Sequence, residues 1–117
     1  MPLYMIVAEK LMAAFGNTGN LGLVAGATFP EQLGAIRKLV GPQTPLLIPG
    51  IGKQGGDLEA TLRANDNGLC IINSSRGIIY ASSGKDFTDK ASQAASQLYY
   101  KINETQRTIS GSGEPKK

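Results

Sequence analysis

Two short stretches carry the side chains of this 117-residue chain best suited to gripping a ligand. One is Pro49-Gly50-Ile51-Gly52-Lys53-Gln54-Gly55-Gly56-Asp57, which follows the apolar run Pro45-Leu46-Leu47-Ile48. The other is Ser74-Ser75-Arg76-Gly77, which follows Leu69-Cys70-Ile71-Ile72-Asn73. Glycine is placed where backbone must take positive φ or approach another group closely. A glycine loop between a strand and a helix N-terminus exposes backbone N–H groups where the helix dipole favours an anion. Gln54 could add an amide donor, Arg76 paired charge-assisted bonds, and backbone N–H groups near Ser75 and Arg76 the rest of a phosphate cradle. The bland alternatives are a tight turn without ligand for the loop and, for Arg76, a surface arginine bonding a helix C-terminus or a carboxylate.

The elements that would hold these stretches read as follows. Pro2 to Phe15 has helical periodicity, with Tyr4, Ile6, Val7, Leu11 and Phe15 as its apolar positions. Leu21 to Ala27 reads as a strand buried on both faces. Thr28 and Glu31 suggest a capping box for a helix whose face is Leu33, Ile36, Leu39 and Val40. Pro45 to Ile48 is a second strand, and Asp57 suits the cap of a short helix with Leu58 and Leu62 inward. Leu69 to Asn73 is a third strand. A long helix follows from Asp86 to about Glu104, with Phe87, Ala91, Ala94, Leu98 and Ile102 inward. Strands alternating with helices imply an α/β fold with a parallel sheet. Residues 1–106 then form one unit of three strands and four helices, and 107–117 a flexible polar tail.

Composition narrows the chemistry. There is no histidine, and Cys70 is the only cysteine, so a disulfide, a Cys/His zinc site and a His-dependent triad are all excluded within one chain. Cys70 sits in an apolar run, as an inert core thiol would. The net charge of +3 is mild, and Arg107, Lys116 and Lys117 supply three of the positive charges from the tail. No basic stripe of the kind that binds nucleic acid stands out. Without a long apolar run or a leader-like start, the reading is a cytoplasmic protein that avoids membranes.

In a parallel sheet the loops after the second and third strands lie side by side on the rim where α/β folds bind ligands. Their glycines, amide and arginine fit the phosphate site after the last two strands of a TIM barrel. A competing reading takes Gly50-x-Gly52-x-x-Gly55 as a dinucleotide fingerprint, with Arg76 receiving a 2′-phosphate, in an NADP-binding half-domain of Rossmann type. Pro49 ahead of the first glycine, and the short helix that follows, count against it.

Three blocks then resemble the C-terminal half of orotidine 5′-phosphate decarboxylases, most closely the longer bacterial subgroup. They are Gly22-Leu23-Val24-Ala25-Gly26-Ala27-Thr28 with Pro30-Glu31, Leu47-Ile48-Pro49-Gly50-Ile51-Gly52-x-Gln54-Gly55-Gly56-Asp57, and Asn73-Ser74-Ser75-Arg76-Gly77-Ile78-Ile79-Tyr80-Ala81. The match covers roughly residues 4 to 104. The resemblance implies a partial TIM barrel that holds a nucleotide monophosphate. It implies loss of CO₂ from orotidine 5′-monophosphate to give uridine 5′-monophosphate, without cofactor or metal. Pro49 matches the proline beside the pyrimidine, and Gln54 and Arg76 match phosphate contacts. Ser75 stands where a backbone N–H meets the phosphate. Gly52 replaces an arginine of some members. The family's Asp-x-Lys-x-x-Asp motif is absent from the chain, so the resemblance places no catalytic residue here. Full-length members are homodimers, so the expectation is a homodimer or pairing with a missing N-terminal half. The chain reads as a barrel cut before the helix preceding its sixth strand.

Overall fold

The ring of Pro2 fixes its φ, at −62°, and with ψ at 155° the residue is extended at the entrance to the first helix, α1, Leu3–Phe15. From there the computed structural model runs β1 (Leu23–Val24), α2 (Pro30–Val40), β2 (Leu46–Ile48), α3 (Leu58–Asn65), β3 (Cys70–Ile72), α4 (Arg76–Ile79) and α5 (Phe87–Ile109). It describes residues 1–51 and 57–111. The three strands are parallel and lie in chain order, β1-β2-β3, with Val24 opposite Leu47 and Ile48 opposite Ile72. This is the α/β arrangement expected from the alternation of apolar runs.

The core sits between the sheet and its helices. Ala25, Ala27, Leu46 and Ile48 from the strand segments meet Leu33 and Val40 of α2, with Met12 of α1 and Ala64 of α3 packed against them. Leu33, Leu46, Ile48 and Leu62 are the largest apolar side chains to be fully enclosed. Burying each stabilises the fold by about 1.5–3 kcal/mol relative to exposure.

Several local expectations change. β1 is shorter than Leu21–Ala27, although Ala25 N–H donates to Leu47 O at 2.9 Å and Ala27 N–H to Pro49 O at 2.8 Å, carrying the pairing to the strand's end. Nor is it covered on both faces, since Val24 is 69% exposed. Thr28 does not cap α2. Pro30, whose fixed φ suits the first helical position, puts Phe29 at the cap with no side-chain bond. On α1, Ala8 is the buried residue and Val7 and Phe15 are exposed, because the helix turns its Ala8–Met12 side to the core. Asp57 does cap α3, its Oδ1 accepting from Glu59 N–H at 2.9 Å.

α5 follows its predicted stripe at Ala91, Ala94, Leu98 and Ile102, all half-buried, but Phe87 is exposed. The helix also continues through Arg107, Thr108 and Ile109, which the sequence reading had given to the tail. A fifth helix, the single-turn α4, occupies a stretch with no assigned element.

Candidate functional site

The register that pairs Ile48 with Ile72 makes β2 and β3 end level with one another. Pro49-Gly50 and Asn73-Ser74-Ser75-Arg76 therefore leave the sheet from one rim, as neighbours. The third strand end joins them through the Ala27 N–H to Pro49 O bond. Gly50 takes φ +96°, a conformation that L side chains rarely adopt, and a Cβ on it would lie 3.7 Å from both Ala27 N and Thr28 Oγ1. The glycine after Pro49 is thus required by the sharp exit of the chain. Gln54, with Gly52, Lys53, Gly55 and Gly56, lies outside the described residues.

After β3 the chain turns at once into α4. Ser75 has helical φ and ψ of −91° and −66°, and its carbonyl accepts from Ile79 N–H at 2.8 Å. Ser75 and Arg76 are both exposed, and Arg76 makes no ion pair among the described residues, whose single salt bridge joins Arg63 and Glu59. A guanidinium left without a carboxylate at a strand-end rim is free to take an external anion. Gly77 lies tight against Ser74: a Cβ on Gly77 would come within 2.7 Å of Ser74 Oγ. Pro49 follows β2, and Ser75 and Arg76 follow β3, at the same end of the sheet.

Two features were not anticipated. Asn73 Oδ1 is buried with no hydrogen-bond partner among the described residues, at the point where β3 gives way to the Ser-Ser-Arg turn. An amide directly after an apolar strand run was the available signal. A cavity of about 410 Å³ lies between α3, α4 and α5, touching Ile51, Leu58, Ser74, Ile78, Leu98 and Lys101. Pro49, Ser75 and Arg76 do not line it, so it adjoins the rim without containing it.

The opposite end of the sheet is built differently. Arg37, only 5% exposed, donates through Nε and Nη2 to Asn65 Oδ1 at 2.9 and 2.6 Å. Its Nη1 reaches Gly41 O and Thr44 O, each at 2.8 Å, and Nη2 reaches Leu69 O at 2.8 Å. Asn65 Nδ2 in turn donates to Gly68 O at 2.8 Å. A side chain on Gly68 would strike the guanidinium. Burial lowers the Arg37 pKa from its ordinary value, with the neighbouring Cys70 acting weakly the other way. Cys70 is half-buried, and burial raises its thiol pKa, keeping it protonated and unreactive. Arg37 is thus the tie between α2, α3 and the start of β3, a role that nothing in the residue pattern singled out.

No group of three or more His, Cys, Asp or Glu able to hold a metal occurs among the described residues. Within the same residues no helix is long and apolar enough to cross a membrane.

No family model matches the chain. Curated relatives do. The orotidine 5′-phosphate decarboxylase of Ralstonia nicotianae is 50% identical over 106 residues, covering 88% of this chain and 39% of the relative. That of Bordetella avium is 50% identical over 105 residues, with 87% and 39% covered. Among solved structures, Leishmania donovani UMP synthase superposes with a TM-score of 0.71 at 37% identity, over 89% of this chain and 22% of that one. Leishmania donovani OMP decarboxylase gives 0.70 at 34% identity, over 91% and 39%. The chain is similar to the C-terminal part of these decarboxylases and spans about two-fifths of the length of the curated relatives it matches. Its three parallel strands and flanking helices correspond to a portion of their TIM barrels. These likenesses give the dinucleotide reading no support.

Proposed function

We propose that this chain is the phosphate-gripping C-terminal portion of an orotidine 5′-phosphate decarboxylase, acting in the cytoplasm on a nucleotide monophosphate. The observation that carries the reading is the level ending of β2 and β3, which sets the Pro49-Gly50 exit beside the Ser75-Arg76 turn. It does so in a chain half identical to named decarboxylases over 106 residues.

Arg76 supplies the charge that meets the phosphate, ideally by two parallel N–H bonds, and the backbone N–H at Ser75 adds a donor with no conformational entropy of its own. Gln54 contributes an amide to the same oxyanion. Pro49, rigid and lacking an N–H, offers an apolar edge to the pyrimidine. Holding the phosphate fixes where the base and its carboxylate lie, so binding energy remote from the reacting carbon is available for orientation.

Decarboxylation itself needs an acid to protonate the carbanion and charges placed against the departing carboxylate. The Asp-x-Lys-x-x-Asp motif of the family is absent from the chain, while Asp57 caps α3 and Asp86 accepts a hydrogen bond at 2.5 Å from Ser82 before α5. That hydrogen bond lowers the Asp86 pKa. We infer that turnover depends on further polypeptide, either the rest of the barrel or a homodimer partner.

Isothermal titration with uridine 5′-monophosphate and with NADPH tests the assignment. The monophosphate should bind more tightly, and Arg76→Ala should weaken it by about 1–3 kcal/mol. Tighter binding of NADPH would overturn it.

A further inference from the structure

On the face of the sheet away from the helices, Val24, Leu47 and Ile71 stand opposite one another and are left bare, at 69%, 38% and 63% exposure. Alternation along the strands sets Gly26, Pro49 and Asn73 in the next row on that face, nearer the rim. The Ala27 N–H to Pro49 O bond carries the pairing of β1 with β2 that far. Ser74 turns the other way and lines the cavity between α3, α4 and α5, which Asn73 does not touch. Asn73 is therefore the polar member of the rim-side row, and it is unengaged. Its Oδ1 is enclosed with no hydrogen-bond partner among the described residues. Nor does its Nδ2 donate to any of them, whereas Asn65 Nδ2 reaches Gly68 O at 2.8 Å and Asn67 Nδ2 reaches Ser110 Oγ at 3.4 Å. An enclosed acceptor without a donor destabilises a fold, so its presence calls for a donor from elsewhere.

We propose that Asn73 is a specificity-determining residue, its amide pairing with the imide edge of a uracil ring that lies against Pro49. The inference rests on the phosphate reading above. With the phosphate at Ser75 and Arg76, the chain leads back through Ser74 to Asn73, so the remainder of the nucleotide lies toward that row. Pro49 and Asn73 are neighbours there, one apolar and one polar. Uracil offers a ring N–H beside a carbonyl oxygen, and an amide offers an acceptor beside a donor. Two hydrogen bonds follow: the ring N–H donates to Oδ1, and Nδ2–H donates to the ring oxygen. The χ2 torsion of asparagine is soft, so the amide turns to meet the ring at little cost. Shielding from water at this position strengthens both bonds. A ring whose N–H is blocked leaves the amide unpaired, and so does a phosphate that carries no base.

Isothermal titration of the full 117-residue chain with three probes separates the amide from the phosphate grip. The probes are uridine 5′-monophosphate, 3-methyluridine 5′-monophosphate and ribose 5-phosphate, and the first should bind most tightly. Asn73→Ala should weaken it by about tenfold, as expected for the loss of two hydrogen bonds, and leave ribose 5-phosphate within about twofold. The wild type should bind the 3-methyl compound about tenfold less tightly than its parent, a gap that should close in Asn73→Ala. The Asn73 side-chain NH₂ resonances should move with uridine 5′-monophosphate and stay in place with ribose 5-phosphate, a signature that a residue serving the fold alone would not give. Because Asn73→Ala removes an unpaired acceptor, its melting temperature should fall by no more than about 3 °C. Unchanged affinity of Asn73→Ala for uridine 5′-monophosphate, or equal losses for that ligand and ribose 5-phosphate, would overturn the proposal and leave the phosphate reading in place. Failure of the wild type to bind any of the three probes would overturn both.

Discussion

The two ends of the sheet contain one arginine each of contrasting design. At the N-terminal end Arg37 is buried, and its donors are spent on Asn65 and three backbone carbonyls. At the C-terminal end Arg76 is exposed and pairs with no carboxylate among the described residues. A saturated guanidinium holds elements together and can bind nothing else; an unsaturated one contributes little to the fold and is available to a ligand. The difference follows the general division of a TIM barrel, stability at the bottom face and chemistry at the top.

That division can be broken most severely from below. Arg37→Ala leaves Asn65 Oδ1 and the carbonyls of Gly41, Thr44 and Leu69 without their donor, and should cost about 3–5 kcal/mol of stability in urea unfolding. Gly68→Ala should act in the same direction, because the added methyl displaces the guanidinium. Ile48→Ala, at a fully buried strand position, should cost about 2–5 kcal/mol. A loss under 1 kcal/mol for Arg37→Ala would mean that the tie is not structural.

Gly50→Ala lies between the two regimes. Its φ of +96° strains any side chain, so roughly 1–2 kcal/mol of stability should go, together with some affinity for the monophosphate. Arg76→Ala should reverse the pattern seen at Arg37. Stability should change by no more than about 0.5 kcal/mol, while monophosphate affinity falls.

The smallest effect concerns Cys70. Its thiol stays protonated in the fold, but in the unfolded chain it ionises near pH 9. The unfolded state then binds fewer protons than the native state, so stability should decline as pH rises past about 9 toward the raised native value. Comparing unfolding of the wild type and Cys70→Ala from pH 7 to 10 isolates the contribution, which should vanish in the variant.

The upper rim was largely legible from residue order, because an apolar run ending in Pro49-Gly50 and another ending in Asn73-Ser74-Ser75-Arg76 mark two strand ends. Parallel alternation then forces them onto one side. The lower tie was not legible. Three of the Arg37 partners are backbone carbonyls, which residue identity does not advertise, and Asn65 is 28 positions away. Nor was the bare face, since a short apolar run such as Leu46-Leu47-Ile48 looks the same whether one side is covered or both. α4 escaped because Ser75-Arg76-Gly77 has turn chemistry, and the helix it opens is a single turn.

The most direct test follows the Arg76 Nε–H by NMR while the chain is titrated separately with uridine 5′-monophosphate and with uridine. If the upper rim is a phosphate grip, the monophosphate should shift and saturate that resonance, and uridine should leave it in place. The same affinity for both ligands, or saturation by neither, would contradict the account.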